Sequence, residues 1–269
     1  MDLAQNIIDN EAGIRITIFF TVFIVVALWE ITSPRKKLVR SKLQRWVNNI
    51  GLVFLNTLVL RLIFPAAAIG MTLAVQEKGW GLLNQFDLPL LLSTFITIIL
   101  LDFVIYVQHV LVHIVPLLWR LHRGHQADPD YDVNTGARFH PLEIILSMII
   151  KFGAIIILGP PVLGVLLFEI ILNASAMFNH ANGRLPLSLD VILRQLVVTP
   201  DMHRVHHSVE RDETDSNYGF FLSIWDRIFK TYRDQPRAGH DEMVIGIKEY
   251  NNASEVTDLR GIMTLPFKG

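Results

Sequence analysis

Four long apolar stretches dominate this sequence, and they restrict the fold more than any other feature. They span residues 14–31, 50–75, 88–107 and 144–178. Stretches of about 20 apolar residues are typical of membrane-spanning helices, because a helix satisfies its backbone hydrogen bonds within itself. Hydrophobic residues make up 51% of the chain and charged residues only 18%, which is more apolar than an ordinary soluble domain. The sequence therefore predicts an all-α, polytopic membrane helical bundle.

The loop after the first stretch predicts how the bundle is oriented. Six basic residues occur between positions 35 and 45, and such clusters mark the cytoplasmic side of a membrane. The second stretch contains Arg61 and Pro65. We expect it to kink near the proline or to divide into two shorter pieces.

The fourth stretch is too long for one crossing and has a Gly-Pro-Pro sequence at positions 159–161. We interpret it as a helical hairpin that turns at the prolines. A hairpin puts His140 and His180, which flank the stretch, on the same side of the membrane. The bundle would then have about four spans, the last of them this hairpin.

Histidines are concentrated in one part of the chain. Of the ten histidines, nine lie between His109 and His207. They are His109 and His113, His122 and His125, His140, His180, and the triplet His203, His206 and His207. Spacings of three and four residues put the members of each set on one face of a helix. Neutral imidazoles that converge in this way predict a metal site.

The residue types limit which site this can be. The chain has no cysteine, which excludes disulfides, thiolate metal sites and iron–sulfur clusters. Eight or nine histidines exceed the roughly four donors that one tetrahedral ion takes, so they fit two ions. Spacing alone leaves zinc, iron, copper and nickel open. A net charge of −1 argues against a nucleic-acid partner. A dinuclear site beside an apolar hairpin indicates oxygen activation on a lipid. An alkyl C–H bond has no group on which acid–base catalysis can act, so a metal cofactor must supply the chemistry.

Three carboxylates near the histidines have two interpretations each. Asp102 shares a helical stripe with His109, so it either hydrogen-bonds a ligand imidazole or makes an interhelical contact. The same alternatives hold for Asp201 and Asp226, and there we favour the structural contact.

Two further elements are predicted around the histidines. Arg138 and Glu143 are expected to pair across a loop. Residues 217–229 are expected to form an amphipathic helix on the membrane surface, with Trp225 on its packed face.

The order of these motifs resembles the fatty acid hydroxylase/sterol desaturase superfamily over about residues 102–232. The motifs are His-x-x-x-His, His-x-x-His, Thr-Gly-x-Arg-Phe-His-Pro-Leu-Glu, His-x-Asn, Asp-Met-His-Arg-Val-His-His, and Asn-Tyr-Gly followed by Trp-Asp-Arg-Ile-Phe. The resemblance implies a membrane di-iron oxidoreductase that uses O₂ and two electrons to hydroxylate or desaturate lipid chains, sterols or carotenoids. It implies as metal ligands His109, His113, His122, His125, His180, His203, His206 and His207.

The second motif departs from the family pattern. The family has His-x-x-His-His there, and this chain has Gln126 in place of the last histidine. Gln126 could ligate weakly through its carbonyl oxygen. Alternatively, His140 takes its place, or contacts a ligand without touching the metal.

Together these observations predict a membrane oxygenase or desaturase with two non-haem irons on the cytoplasmic side and O₂ as co-substrate. Its partners would be a lipid substrate and an external electron donor (ferredoxin-like, cytochrome or reductase), because no flavin or nicotinamide fingerprint is present. It would lie in the inner membrane of a bacterium or the endoplasmic reticulum of a eukaryote. Residues 1–101 would form N-terminal spans, 102–234 the catalytic domain with the hairpin 144–178, and 235–269 a polar tail. The alternatives are a zinc-dependent membrane hydrolase and a non-catalytic metal-binding membrane protein.

Overall fold

The computed structural model describes residues 7, 10–250 and 256–268. Within these residues the regular structure is helical, with only isolated bridges between extended segments, so the predicted all-α class is confirmed. The longer helices are α1 (Glu11–Thr32), α2 (Lys42–Ile63), α3 (Ala67–Glu77), α4 (Leu90–Ile114), α5 (Pro116–Gln126), α6 (Pro141–Leu158) and α7 (Val162–Asn179). The shorter helices are α8 (Leu187–Leu193), α9 (Pro200–His206), α10 (Arg211–Thr214), α11 (Ile224–Ile228), α12 (Gly239–Glu242) and α13 (Leu259–Thr264). Single 3₁₀ turns occur at Leu82–Gln85, Thr135–Ala137 and Leu265–Phe267.

Five segments are long and apolar enough to cross a membrane. They are Glu11–Thr32, Lys42–Gln85, Leu90–Ile114, Pro141–Leu158 and Val162–Asn179. Large apolar side chains on their outer faces are exposed, among them Val25, Phe54 and Leu91 at 61%, 74% and 78%. Apolar surface on this scale is stable against lipid rather than water. The multi-pass bundle is therefore confirmed, and five segments result because each arm of the predicted hairpin is a helix of its own.

The second apolar stretch divides at Pro65. Helix α2 ends at Ile63 and α3 begins at Ala67, which has a positive φ of 51°. Proline lacks the N–H group that would continue the helical hydrogen bonds, so the chain turns there. Arg61 lies on the exposed surface of the last turn of α2.

Helix α4 carries the first pair of histidines. It continues past the apolar stretch 88–107 to Ile114 and stops where Val115 precedes a proline. A residue before proline disfavours the helical conformation, and Val115 has φ −93° and ψ 114°. Asp102, His109 and His113 are all buried on one side of this helix, as their spacing predicts.

The predicted hairpin is present. Gly159 ends α6 in the left-handed conformation, with φ 62°, and two prolines lead into α7. An ion pair of 2.8 Å between Lys151 and Glu169 joins the two arms. His180 follows the end of α7, and a Cβ atom on Gly136 would lie 3.1 Å from its Nδ1. The segment before His140 and the end of α7 therefore meet on the same side.

The described C-terminal residues 256–268 pack against α5. Val256, Ile262 and Leu265 are completely buried. Arg123 of α5 donates from Nε to the carbonyl oxygen of Leu265 at 3.1 Å. A methyl group of Ile262 lies 3.8 Å from the Cβ position of Gly124. The last described residues thus form a strap over the helix that carries His122 and His125.

The segment 217–229 contains a much shorter helix than predicted, since only Ile224–Ile228 is helical. The carboxylate of Asp226 accepts hydrogen bonds from the backbone N–H groups of Tyr218 and Gly219, each at 2.8 Å. Those bonds hold the first residues of the segment in a loop. Ile224 and Ile228 are exposed, whereas Trp225 packs on Phe103 with ring centroids 4.9 Å apart.

Candidate metal centre

Eight buried histidines form two groups of four, and these are the eight predicted from the sequence. The first group contains His109 and His113 from α4, His122 from α5 and His206 from α9. The second contains His125, His180, His203 and His207. Within each group the candidate donor atoms lie within 4.8 Å of one another. Each group therefore has the number and proximity of donors that one metal ion requires.

The two groups are adjacent and share their elements. His122 and His125 lie on the same helix in different groups, with ring centroids 5.0 Å apart. His203 and His206 are also 5.0 Å apart and likewise belong to different groups. The sequence triplet is thus divided between the two groups, although its three ring centroids lie within 5.5 Å of one another. Helix α9 ends at His206, so His207 leaves the helical path.

Local sequence signals explain where the short helix α9 begins. Thr199 caps α9, and its side chain accepts a hydrogen bond from the N–H of Met202 at 3.3 Å. Pro200 occupies the first helical position, where its missing N–H leaves no bond unmade. The cap and the proline therefore fix the start of the helix just before His203.

Glycine permits the close approach of the loop that precedes His140. A Cβ atom on Gly136 would lie only 2.6 Å from the carbonyl oxygen of Ala176. No side chain fits at that distance, so the contact between this loop and the end of α7 requires glycine.

In the first group, Nδ1 of every imidazole has a hydrogen-bond partner that lies outside the group. Two partners are backbone oxygens: Tyr218 O lies 2.8 Å from His109 and Ser216 O lies 2.7 Å from His206. The other two are carboxylates. Glu143 lies 2.6 Å from His122, and Asp215 lies 3.3 Å from His113. Carbonyl and ionised carboxylate oxygens only accept hydrogen bonds, so each Nδ1 carries the proton and each Nε2 presents a lone pair.

The second group is held differently. Nδ1 of His180 lies 2.9 Å from the carbonyl oxygen of Ala176, and its Nε2 lies 3.3 Å from Nε2 of His125. Nδ1 of His125 and both ring nitrogens of His203 and His207 are buried and have no hydrogen-bond partner. Buried polar atoms without a partner cost free energy. Buried ring nitrogens that have no hydrogen-bond partner in the protein are suited to bind a metal.

Burial keeps these imidazoles neutral. Removal from water lowers the pKa of both His180 and His206 to about 3, and the neighbouring histidines contribute in the same direction. The same two causes lower the pKa values of His125, His203 and His207 well below the usual range. Neutral imidazole is the form that ligates metals.

The other predicted site residues lie in different places. Asp102 accepts hydrogen bonds from Leu222 N at 3.2 Å and from Trp225 Nε1 at 2.8 Å, so it makes the interhelical contact and bonds no imidazole. His140 lies in neither group, because its Nδ1 accepts from Leu142 N and caps α6. Gln126 does adjoin the histidines, with Nε2 2.5 Å from Nε2 of His206.

The expected pair of Arg138 and Glu143 is not formed. Arg138 donates to Gly124 O at 2.9 Å, and Glu143 instead holds His122. Sequence reasoning missed the roles of both Glu143 and Asp215. Glu143 had a signal, since it follows His140 in the matched motif, whereas Asp215 lies in an irregular loop with no recognisable pattern.

The remaining carboxylates are structural. Asp201 pairs with Arg35 at 3.1 Å and with Arg204 at 2.9 Å, as the favoured interpretation predicts. Asp128 pairs with buried Arg45 at 2.7 Å, immediately after α5. Burial alone would raise the pKa of Asp128, but the charges of Arg45 and Arg138 lower it, so the group stays ionised. This network anchors the end of the helix that carries two of the histidines.

Comparison with known proteins agrees with the geometry. The profile of the fatty acid hydroxylase family matches residues 94–231. Ornithine lipid hydroxylase OlsE of Rhizobium tropici is 25% identical over 238 residues, which are 85% of this chain and 70% of that protein. Human alkylglycerol monooxygenase is 32% identical over 155 residues, which are 57% of this chain and 33% of the human enzyme. The Xenopus tropicalis alkylglycerol monooxygenase is 27% identical over 191 residues, which are 68% of this chain and 41% of that enzyme. No solved structure matches the chain.

Proposed function

The chain belongs to the fatty acid hydroxylase family, and on that premise we propose that it is a membrane oxygenase that hydroxylates a lipid at a non-haem di-iron centre. The observation that carries this proposal is the pair of adjacent four-histidine groups. The relatives named as a lipid hydroxylase and a monooxygenase favour hydroxylation over desaturation. The membrane segments around the site favour a lipid as the substrate.

The donor set fits iron. All eight donors are imidazoles, without thiolates, and those of the first group present their Nε2 lone pairs. Imidazole suits iron, zinc, copper and nickel alike, and the family assignment favours iron among them. Bound iron supplies the reductive activation of O₂, in which a C–H bond, O₂, two electrons and two protons give an alcohol and water.

The protein itself supplies burial, orientation and position. The eight histidines are at most 7% exposed, so bulk water is kept from the reacting atoms. Glu143 and the other Nδ1 partners fix the rings of the first group before any substrate arrives. Since the chain has no flavin or nicotinamide fingerprint, an external electron donor (ferredoxin-like, cytochrome or reductase) delivers the two electrons.

We further propose that the metal centre faces the cytoplasm. Arg35, in the basic loop between α1 and α2, pairs with Asp201 of the helix that carries His203 and His206. The metal centre and the basic loop therefore lie on the same side, which the positive-inside rule assigns to the cytoplasm. The membrane would be the inner membrane of a bacterium or the endoplasmic reticulum of a eukaryote.

The proposal is tested on the full chain in lipid nanodiscs, by metal analysis and by lipid mass spectrometry under isotopically labelled O₂. We expect about two irons per chain and one labelled oxygen atom in the lipid product. His206→Ala and His207→Ala should each lose one of the two irons and abolish turnover. His240→Ala is the control, because His240 is buried but belongs to neither group.

Three outcomes would overturn the proposal. Full activity without iron would exclude an iron centre. Bound zinc with oxygen-independent cleavage of the lipid would indicate a hydrolase. Retained metal without turnover of any membrane lipid would indicate a metal-binding protein that is not an enzyme.

A further inference from the structure

Gln126 stands where the family pattern has a histidine, and it lies against the first group. Gln126 ends α5, four residues after His122. Residues four apart share a helix face, so both side chains point to the first group while His125 points to the second. Nε2 of Gln126 is 2.5 Å from Nε2 of His206 and 3.4 Å from Nε2 of His113.

The protons on the surrounding rings limit what the amide can do there. His206 and His113 carry their protons on Nδ1, because those atoms face Ser216 O and the Asp215 carboxylate. Their Nε2 atoms therefore present lone pairs toward the amide. An ion bound to those lone pairs leaves none for an amide N–H to bond. The bound cation would also repel the hydrogen atoms of an NH₂ group that points toward it.

The oxygen of the Gln126 amide is better suited than its nitrogen to bind the ion. Oε1 of Gln126 is buried and has no hydrogen-bond partner. The oxygen and nitrogen of a side-chain amide exchange positions by rotation of half a turn about the last side-chain bond. That rotation brings the oxygen to the position beside His206 and His113 without moving the backbone.

We infer that Oε1 of Gln126 is a fifth donor to the ion held by His109, His113, His122 and His206. The inference rests on the proposed metal centre and adds a difference between its two ions. The first ion has four imidazoles and one amide oxygen, and its rings are all held through Nδ1. The second has four imidazoles, of which only His180 has an Nδ1 hydrogen bond.

Three substitutions distinguish binding of the ion by Oε1 of Gln126 from hydrogen bonding by its N–H group. Gln126→Glu keeps an oxygen of the same reach, adds a negative charge and removes the N–H. Gln126→Leu removes both groups at similar volume, and Gln126→His restores the imidazole of the family pattern. Gln195→Glu is the matched control, because Gln195 is exposed on the surface after α8.

The readout is the release of iron from the purified holoprotein to a chelator, with Mössbauer spectra to distinguish the two irons. We expect Gln126→Leu to release one iron at least about 10- to 100-fold faster, because loss of even an outer-shell partner lowers metal affinity by that factor. Gln126→Glu and Gln126→His should retain that iron at least as well as the unaltered protein. The second iron and the Gln195→Glu control should be unchanged.

The rate of iron release from the Gln126→Glu variant decides whether the amide acts through its oxygen or its N–H group. If the Gln126→Glu variant releases iron as fast as the leucine variant, the amide acts through its N–H and the inference is wrong. Equal release from all variants would also overturn it, while the proposed function would stand. If Gln126→Leu loses both irons by unfolding, the comparison of Gln126→Glu with the unaltered protein still gives the answer. Unaltered protein that binds no metal would instead overturn the proposed function.

Discussion

Removal of the Glu143 carboxylate should weaken the first metal site by an amount that the structure allows us to estimate. Glu143 accepts from Nδ1 of His122 at 2.6 Å, and both side chains are at least 95% buried. In Glu143→Leu, His122 keeps its N–H but loses its hydrogen-bond partner in a buried site. A buried donor left unpaired costs about 1–3 kcal/mol. Loss of such a partner typically weakens metal affinity by about 10- to 100-fold, which is about 1.4–2.7 kcal/mol and falls within that range.

The matched comparison is Asp215→Leu. Asp215 faces His113 at the longer distance of 3.3 Å, and its side chain is 33% exposed. Water can therefore replace this carboxylate, and we expect a loss of less than about 1 kcal/mol, the usual range for exposed pairs. Glu143→Gln retains a carbonyl oxygen that can accept from His122, so it should fall between Glu143→Leu and the unaltered protein.

The assay is competition for Fe²⁺ or Co²⁺ between the purified apoprotein and a chromophoric chelator. Helical content and thermal unfolding are monitored in parallel to show that the variants remain folded. Equal losses in Glu143→Leu and Asp215→Leu would refute the argument, because burial and distance would then not decide how much a carboxylate contributes. An unchanged affinity in Glu143→Leu would show that packing alone holds His122.

Three further predictions follow from the same contacts. First, the apoprotein should lose stability as the pH falls below about 6.5, since His180 and His206 have folded pKa values of about 3 and the unfolded chain binds more protons in that window. Each histidine should contribute a slope of about 1.4 kcal/mol per pH unit in urea titrations, and a flat profile would contradict this origin. Second, Gly136→Ala should lower the melting temperature and the affinity for the second ion, because its Cβ would lie 2.6 Å from Ala176 O; Gly153→Ala, with no neighbour within 4 Å, is the control. Third, Ile262→Ala should destabilise the protein by about 2–5 kcal/mol in the same titrations, as expected for a fully buried isoleucine, and a loss below about 0.5 kcal/mol would show that the strap is not part of the folded unit.

The spans and the histidine clusters could be predicted from the sequence because both depend on local periodicity. Apolar length indicates a membrane helix regardless of its neighbours, and the Gly-Pro-Pro sequence at 159–161 predicts a turn by itself. Spacings of three and four residues likewise place His109 beside His113 on α4. The assignment of the eight histidines to two groups is a tertiary property, and no spacing rule separates His122 from His125.

Two points that the sequence leaves open are decided by particular residues. Asp102 lies on the same stripe as His109, but seven residues of helix separate them by about 10 Å along the axis, beyond the reach of a hydrogen bond. The backbone N–H of Leu222 and the indole N–H of Trp225 are closer and donate to the Asp102 carboxylate. The C-terminal strap was hidden because Val256, Ile262 and Leu265 are too few to give a periodic signal, yet each of them is fully buried.

The division of neighbouring histidines between the two groups makes α5 and α9 shared walls of the metal centre. A shift of α5 moves His122 in one group and His125 in the other, so neither group can be distorted alone from that side. This coupling explains why α5 is anchored at several points. Arg45 and Asp128 fix the chain where the helix ends, and the strap from Val256 to Lys268 covers its outer side. Within this arrangement a change at Gln126 can alter the donors of the first group while all eight histidines stay in place.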